Sequence, residues 1–182
     1  MCATRTFIAI NIPDGIKTKL KEIAKDIPVK SRLVSKNNMH ITLFFLGNID
    51  DKTLEHKKKL LEELDYNKFE LSINGIGAFV TSGHAVVYAK IGKGADELIG
   101  IYDALFDGMH NLPLRLDKRK FAPHITVGRI RVLKSKTVLS NFISENSDKE
   151  FGSFLCSSIK IKKSILDANV AVHSNIYSKE LL

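Results

Sequence analysis

Two tetrapeptides of one design occur in this chain, His40-Ile-Thr-Leu43 and His124-Ile-Thr-Val127. Each supplies an imidazole and, two residues on, a hydroxyl, with apolar residues in the second and fourth places. With 6 His and eight Thr among 182 residues, His-x-Thr should arise by chance about 0.3 times, and about 0.05 times once both apolar places are required. On a strand, residues i and i+2 face the same side. His40 therefore shares a face with Thr42 and His124 with Thr126, while Ile41, Leu43, Ile125 and Val127 turn to the opposite, core face.

Two imidazoles and two hydroxyls lining one cleft suit a phosphodiester. A histidine with an ordinary pKa of about 6.5 exists in both protonation states near neutral pH, so one ring takes a proton from water while the other gives one to the leaving oxygen. The hydroxyls donate to the non-bridging oxygens, where negative charge accumulates. This chemistry needs no metal, and the sequence has no His-Glu-x-x-His run and no carboxylate cluster beside either motif. The residues do not say which histidine is base and which acid; His124 as base and His40 as acid is the working assignment. His56, His84, His110 and His173 lack the threonine and are expected at the surface.

The elements that must position these groups follow from periodicity. Residues 4–12 alternate and stop at Pro13-Asp14, predicting a strand and then a helix carrying Ile16, Leu20, Ile23, Ala24 and Ile27 up to Pro28. Short strands are predicted at 32–34 and 39–46, then a helix capped by Asp50 or Asp51 with Lys57-Lys58-Lys59 as a solvated face. A hairpin follows over 69–79 and 85–91, turning at Thr81-Ser82-Gly83. Leu98, Ile101, Leu105 and Met109 mark a helix, and 123–132 a strand; a short helix near 137–144 and strands at 154–166 and 170–177 close the chain. Strand and helix before the first motif, hairpin and helix before the second, make the same unit occur twice. No long linker divides them, so residues 1–182 read as one antiparallel α+β domain.

At 44% apolar and 26% charged, the chain can bury a core and is not a disordered polymer. It has no stretch of about 18 apolar residues and opens without a signal peptide's apolar block, so a cytoplasmic, membrane-free protein is expected. Cys2 and Cys156 fit no metal or redox spacing and read as ordinary thiols. The net charge is +8, and residues 115–136 hold eight basic residues against Asp117 alone. So concentrated an excess favours a polyanionic partner.

The motifs lie in wider signatures. Asn38-Met-His-Ile-Thr-Leu-Phe-Phe-Leu-Gly47 and Phe121-Ala-Pro-His-Ile-Thr-Val-Gly-Arg129, with Arg5-Thr-Phe-Ile-Ala-Ile10, Arg32-Leu-Val34 and Ile76-Gly-Ala-Phe79, resemble the 2H phosphoesterase superfamily. The likeness is greatest to its RNA 2′,3′-cyclic phosphodiesterases, or 2′-5′ RNA ligases, of the LigT/ThpR type. The resemblance implies a bilobal α+β fold: two pseudo-symmetric lobes of antiparallel sheet, helices packed outside, a cleft between. It implies cofactor-independent opening of RNA 2′,3′-cyclic phosphate ends to 2′-phosphates, with 2′-5′ ligation in some members. It assigns His40 and His124 as the catalytic pair, Thr42 and Thr126 as phosphate-binding hydroxyls, and Arg129 as a basic residue near the phosphate.

The expected partners are RNA ends bearing a cyclic phosphate, tRNA fragments among them, met by a monomer without an obligate protein partner. The competing reading is a non-catalytic module that binds RNA or nucleotide phosphate in the same cleft. Two points stand apart from the resemblance. Leu33 occupies a place where the family often has tryptophan, and strict alternation from His124 sends Arg129 to the far face unless the strand ends or twists at Gly128. Phe7, Phe45 and Phe121 are capable of stacking on a base, but are expected in the core.

Overall fold

The computed structural model describes residues 4–109, 121–167 and 170–182. Arg115, Lys118, Arg119 and Lys120, half of the basic cluster, lie outside these residues, as does Cys2.

Strand β1 (Thr4–Asn11) ends at Pro13, and helix α1 (Asp14–Lys25) buries Ile16, Leu20, Ile23 and Ala24, one stripe at helical spacing. A short β2 (Arg32–Leu33) and a 3-10 turn (Lys36–Asn38) lead into β3 (His40–Ile49). Helix α2 (Asp51–Glu62) is capped by Asp50, whose carboxylate accepts from the Thr53 amide at 2.8 Å. Strands β4 (Phe69–Thr81) and β5 (His84–Ile91) form the hairpin, followed by α3 (Ala95–Met109). Then come β6 (His124–Ile130), α4 (Lys136–Glu145), β7 (Glu150–Cys156), β8 (Ser158–Asp167) and β9 (Val170–Glu180).

All nine strands join one antiparallel sheet in the order β7-β4-β5-β6-β3-β1-β8-β9, with β2 paired to β6. The two lobes are its two halves, β7-β4-β5-β6 and β3-β1-β8-β9, each with a histidine strand at the midline. The halves are interleaved. At Ser157 the chain passes from the half that holds β7 to the half that holds β8, and α1, which follows β1, packs on β6 and β7 while α3 packs on β3. The strand expected over 154–166 is thus two strands in different lobes. In the sequence only the Ser157-Ser158 pair marks the break.

The Lys57-Lys58-Lys59 run is not wholly solvated. Lys57 is 1% exposed between α2 and α3, and its ammonium donates to the Gly108 carbonyl at the end of α3. A cation there complements the unpaired carbonyls of a helix C-terminus. Among the described residues, no helix is long and apolar enough to cross a membrane. Cys156 is buried, which pushes its thiol up to about 11 and keeps it unreactive.

Candidate active site

The two histidine strands are neighbours: β3 and β6 pair antiparallel at Ile41 and Ile125, both fully buried. The residues flanking these isoleucines turn to the opposite, open face. Antiparallel order sets His40 beside Thr126 and Thr42 beside His124, so the four groups gather about a local pseudo-twofold centred on the isoleucine pair. All four are partly exposed.

Each motif strand then carries the same irregularity. Against β1, Thr42 pairs with Ala9 and Phe44 with Ile8, which skips Leu43; against β5, Thr126 pairs with Tyr88 and Gly128 with Val87, which skips Val127. An extra residue in one strand reverses the alternation beyond it. The residue five places after each histidine therefore returns to the histidine's own face: Phe45, 72% exposed, and Arg129, also exposed. The Arg129 charge bears on His124 from this face, where simple alternation would not put it. The second bulge is held from outside. The Val127 carbonyl accepts from the Val34 amide at 2.9 Å, and β2 pairs Leu33 with Gly128. Leu33 itself is 41% exposed.

The two imidazoles have different surroundings. Nδ1 of His124 lies 2.8 Å from the Ala122 carbonyl, which only accepts, so Nδ1 carries a proton and Nε2 is left for chemistry. Phe79 meets the ring edge-on at 5.0 Å, and Tyr88, stacked on Phe79, lies 5.3 Å away. Burial pushes His124 below the usual histidine range, and the Arg129 charge adds to this. His40 stacks on Phe7 at 4.8 Å. Its Nδ1 is buried with no partner in hydrogen-bonding geometry, although the Asn38 carbonyl lies near enough to favour protonation. Burial, then the charges of His173 and Lys162, push His40 down to about 3.

Several residues around the site carry no signal in the sequence. His173, expected at the surface, stands on β9 with its ring 5.3 Å from His40 and 4.9 Å from Phe7. Lys162 is 7% exposed and donates to the Asn11 carboxamide at 2.8 Å; Asn11 pairs with His40. Both depend on β8 and β9 curling over β1, a long-range event that no short motif encodes. Of the three phenylalanines expected in the core, Phe7 is buried beneath His40 and Phe121 is half-buried, stacked on Tyr102 at 4.2 Å. Phe45 is instead open at the site. Among the described residues, no three His, Cys, Asp or Glu side chains are grouped as a metal-ion ligand set.

The comparisons with known proteins agree with this geometry. The family model of the 2′-5′ RNA ligase superfamily matches residues 12–163. The chain belongs to the 2′-5′ RNA ligase superfamily. Within reach of this superfamily, it is 32% identical over 173 residues to the RNA 2′,3′-cyclic phosphodiesterase of Methanocaldococcus jannaschii, covering 94% of this chain and 98% of the relative. A protein of the same name from Archaeoglobus fulgidus is 29% identical over 175 residues, covering 94% and 97%. Escherichia coli LigT complexed with 3′-AMP superposes with a TM-score of 0.82 at 20% identity, covering 98% of each chain. TT0787 of Thermus thermophilus gives 0.78 at 23% identity, covering 97% of each. These structures establish the LigT-like bilobal fold.

Proposed function

We propose that this protein hydrolyses 2′,3′-cyclic phosphate ends of RNA to 2′-phosphates, with His40 and His124 as the acid–base pair. The observation that carries this is the Ile41–Ile125 pairing, which supports one phosphate lying between the two imidazoles. The names of the superfamily relatives give the substrate class.

In the reaction, water attacks phosphorus and the P–O3′ bond breaks. One imidazole takes the water's proton, and the other, protonated at the start, delivers its proton to O3′. The deeper depression of His40 favours it as the neutral base and leaves the proton to His124, the reverse of the working assignment. Thr42 and Thr126 donate to the non-bridging oxygens, and Arg129 approaches from the His124 side with a fixed positive charge, opposing the negative charge that builds up in the transition state. The four basic residues of the described part of the cluster, Arg129, Arg131, Lys134 and Lys136, lie on β6 or just beyond it. They supply attraction for an RNA backbone.

The test is incubation of the pure protein, with EDTA, with a short oligoribonucleotide ending in a 2′,3′-cyclic phosphate. A terminal 2′-phosphate is the expected product. His40→Ala and His124→Ala should each lose about 10²–10⁴ in kcat/KM. No product from the wild type, as a pure binding module would give, contradicts the proposal.

A further inference from the structure

His124 has a closer backbone partner than His40. The Ala122 carbonyl holds Nδ1 of His124 at 2.8 Å, whereas Nδ1 of His40, sealed from solvent, has the Asn38 carbonyl nearby but outside hydrogen-bonding geometry. An imidazole free to turn about χ2 presents its reactive nitrogen only part of the time. The looser hold of the Asn38 carbonyl leaves the packing around the ring to fix His40.

The contacts around it identify what does. On one side Phe7 stacks at 4.8 Å with the planes 30° apart; His173 meets His40 edge-to-face at 5.3 Å and Phe7 likewise at 4.9 Å. The three rings form a closed triangle. His173 comes from β9, and both β1 and β8 intervene between β9 and β3, so only the curl of the sheet brings it here. That approach is tied down locally: Asn38, two residues before His40, donates from its carboxamide at 2.7 Å to the carbonyl of Ala171, two residues before His173. Nδ1 of His173 is likewise buried without a partner, and these two nitrogens are the only side-chain polar atoms so placed among the described residues. An apolar wedge would fill the space without that cost.

We propose that His173 is a positioning residue for the reaction: with Phe7 it clamps the His40 ring so that Nε2 faces the cleft, the task the Ala122 carbonyl performs for His124. The inference rests on the two-histidine reading above. It adds an electrostatic consequence, since two rings this close do not both hold a proton easily. The cations facing them are Lys162 from β8, which bears on both, and Lys17 from α1, which bears on His40; Asn11 from β1 is neutral. Removing His173 takes away one of the charges that keep His40 unprotonated.

The test compares His173→Ala and His173→Phe with the wild type by NMR titration of the His40 ring and by steady-state kinetics. His173→Ala opens the clamp. Its kcat should fall about tenfold with KM within about twofold, and the His40 titration should move up from about 3 toward the ordinary value. His173→Phe keeps the wedge and removes the charge, so kcat should stay within about threefold while the titration still moves up. An unmoved His40 titration in both variants, or a rise in KM with kcat unchanged, overturns the proposal. The second outcome would make His173 a substrate contact. Failure of the hydrolysis reading appears separately, as absent turnover in the wild type, and leaves the titration readout intact.

Discussion

His40 and His124 have almost the same neighbours in sequence and quite different ones in space. The spacing of imidazole and hydroxyl was legible because strand geometry alone puts i and i+2 on one face. The inequality of the two rings was not, since it comes from Phe7, His173 and Lys162 on one side and from Tyr88, Phe79 and Arg129 on the other. It has a measurable thermodynamic effect. Folded His40 titrates at about 3, against about 6.5 for an unfolded chain, so between these values the unfolded state binds the extra proton. Stability is then complete above pH 6.5 and falls as pH drops through that window, by at most about 1.4 kcal/mol per unit from this group. His40→Gln should flatten the difference between denaturant midpoints at pH 7 and pH 5. An unchanged difference would show that the ring titrates normally.

At the scale of elements, the strand periodicities were readable, and of the two points where they change phase only the one at Gly128 was foreseen. A bulge costs one residue and leaves no mark in an apolar run, so Leu43 gave no sign, and beside Val127 only Gly128 did. Yet the two bulges decide what lines the site, returning Phe45 and Arg129 to the open face. Glycine has a comparable role on β4. Gly77 pairs with Tyr88, and a Cβ there would stand 2.8 Å from the Tyr88 ring, which lies beside His124. Gly77→Ala should therefore push Tyr88 toward His124, lowering kcat/KM several-fold. The clash is with the end of a movable side chain, so stability should change by only about 1 kcal/mol. Thermal melts beside kinetics check this; a large loss of stability with normal activity would contradict it.

The whole molecule is an interleaved pair of half-sheets, and here the sequence was least informative. Repetition of the strand-helix-motif unit pointed to two lobes, but the crossing at Ser157 and the exchange of α1 and α3 depend on which surfaces are left to cover once the sheet curls. In the proposed reaction this architecture brings a histidine from each half of the chain to a single phosphorus. Groups that act as one unit in a single step lose their effect together, so their mutational losses do not add. The most direct measurement is a double-mutant cycle on metal-free turnover of a cyclic-phosphate RNA end, using His40→Ala, His124→Ala and the two combined. The double variant should be no more than about tenfold slower than the worse single variant. Losses that multiply in full would mean that the two imidazoles work independently, and would contradict the account.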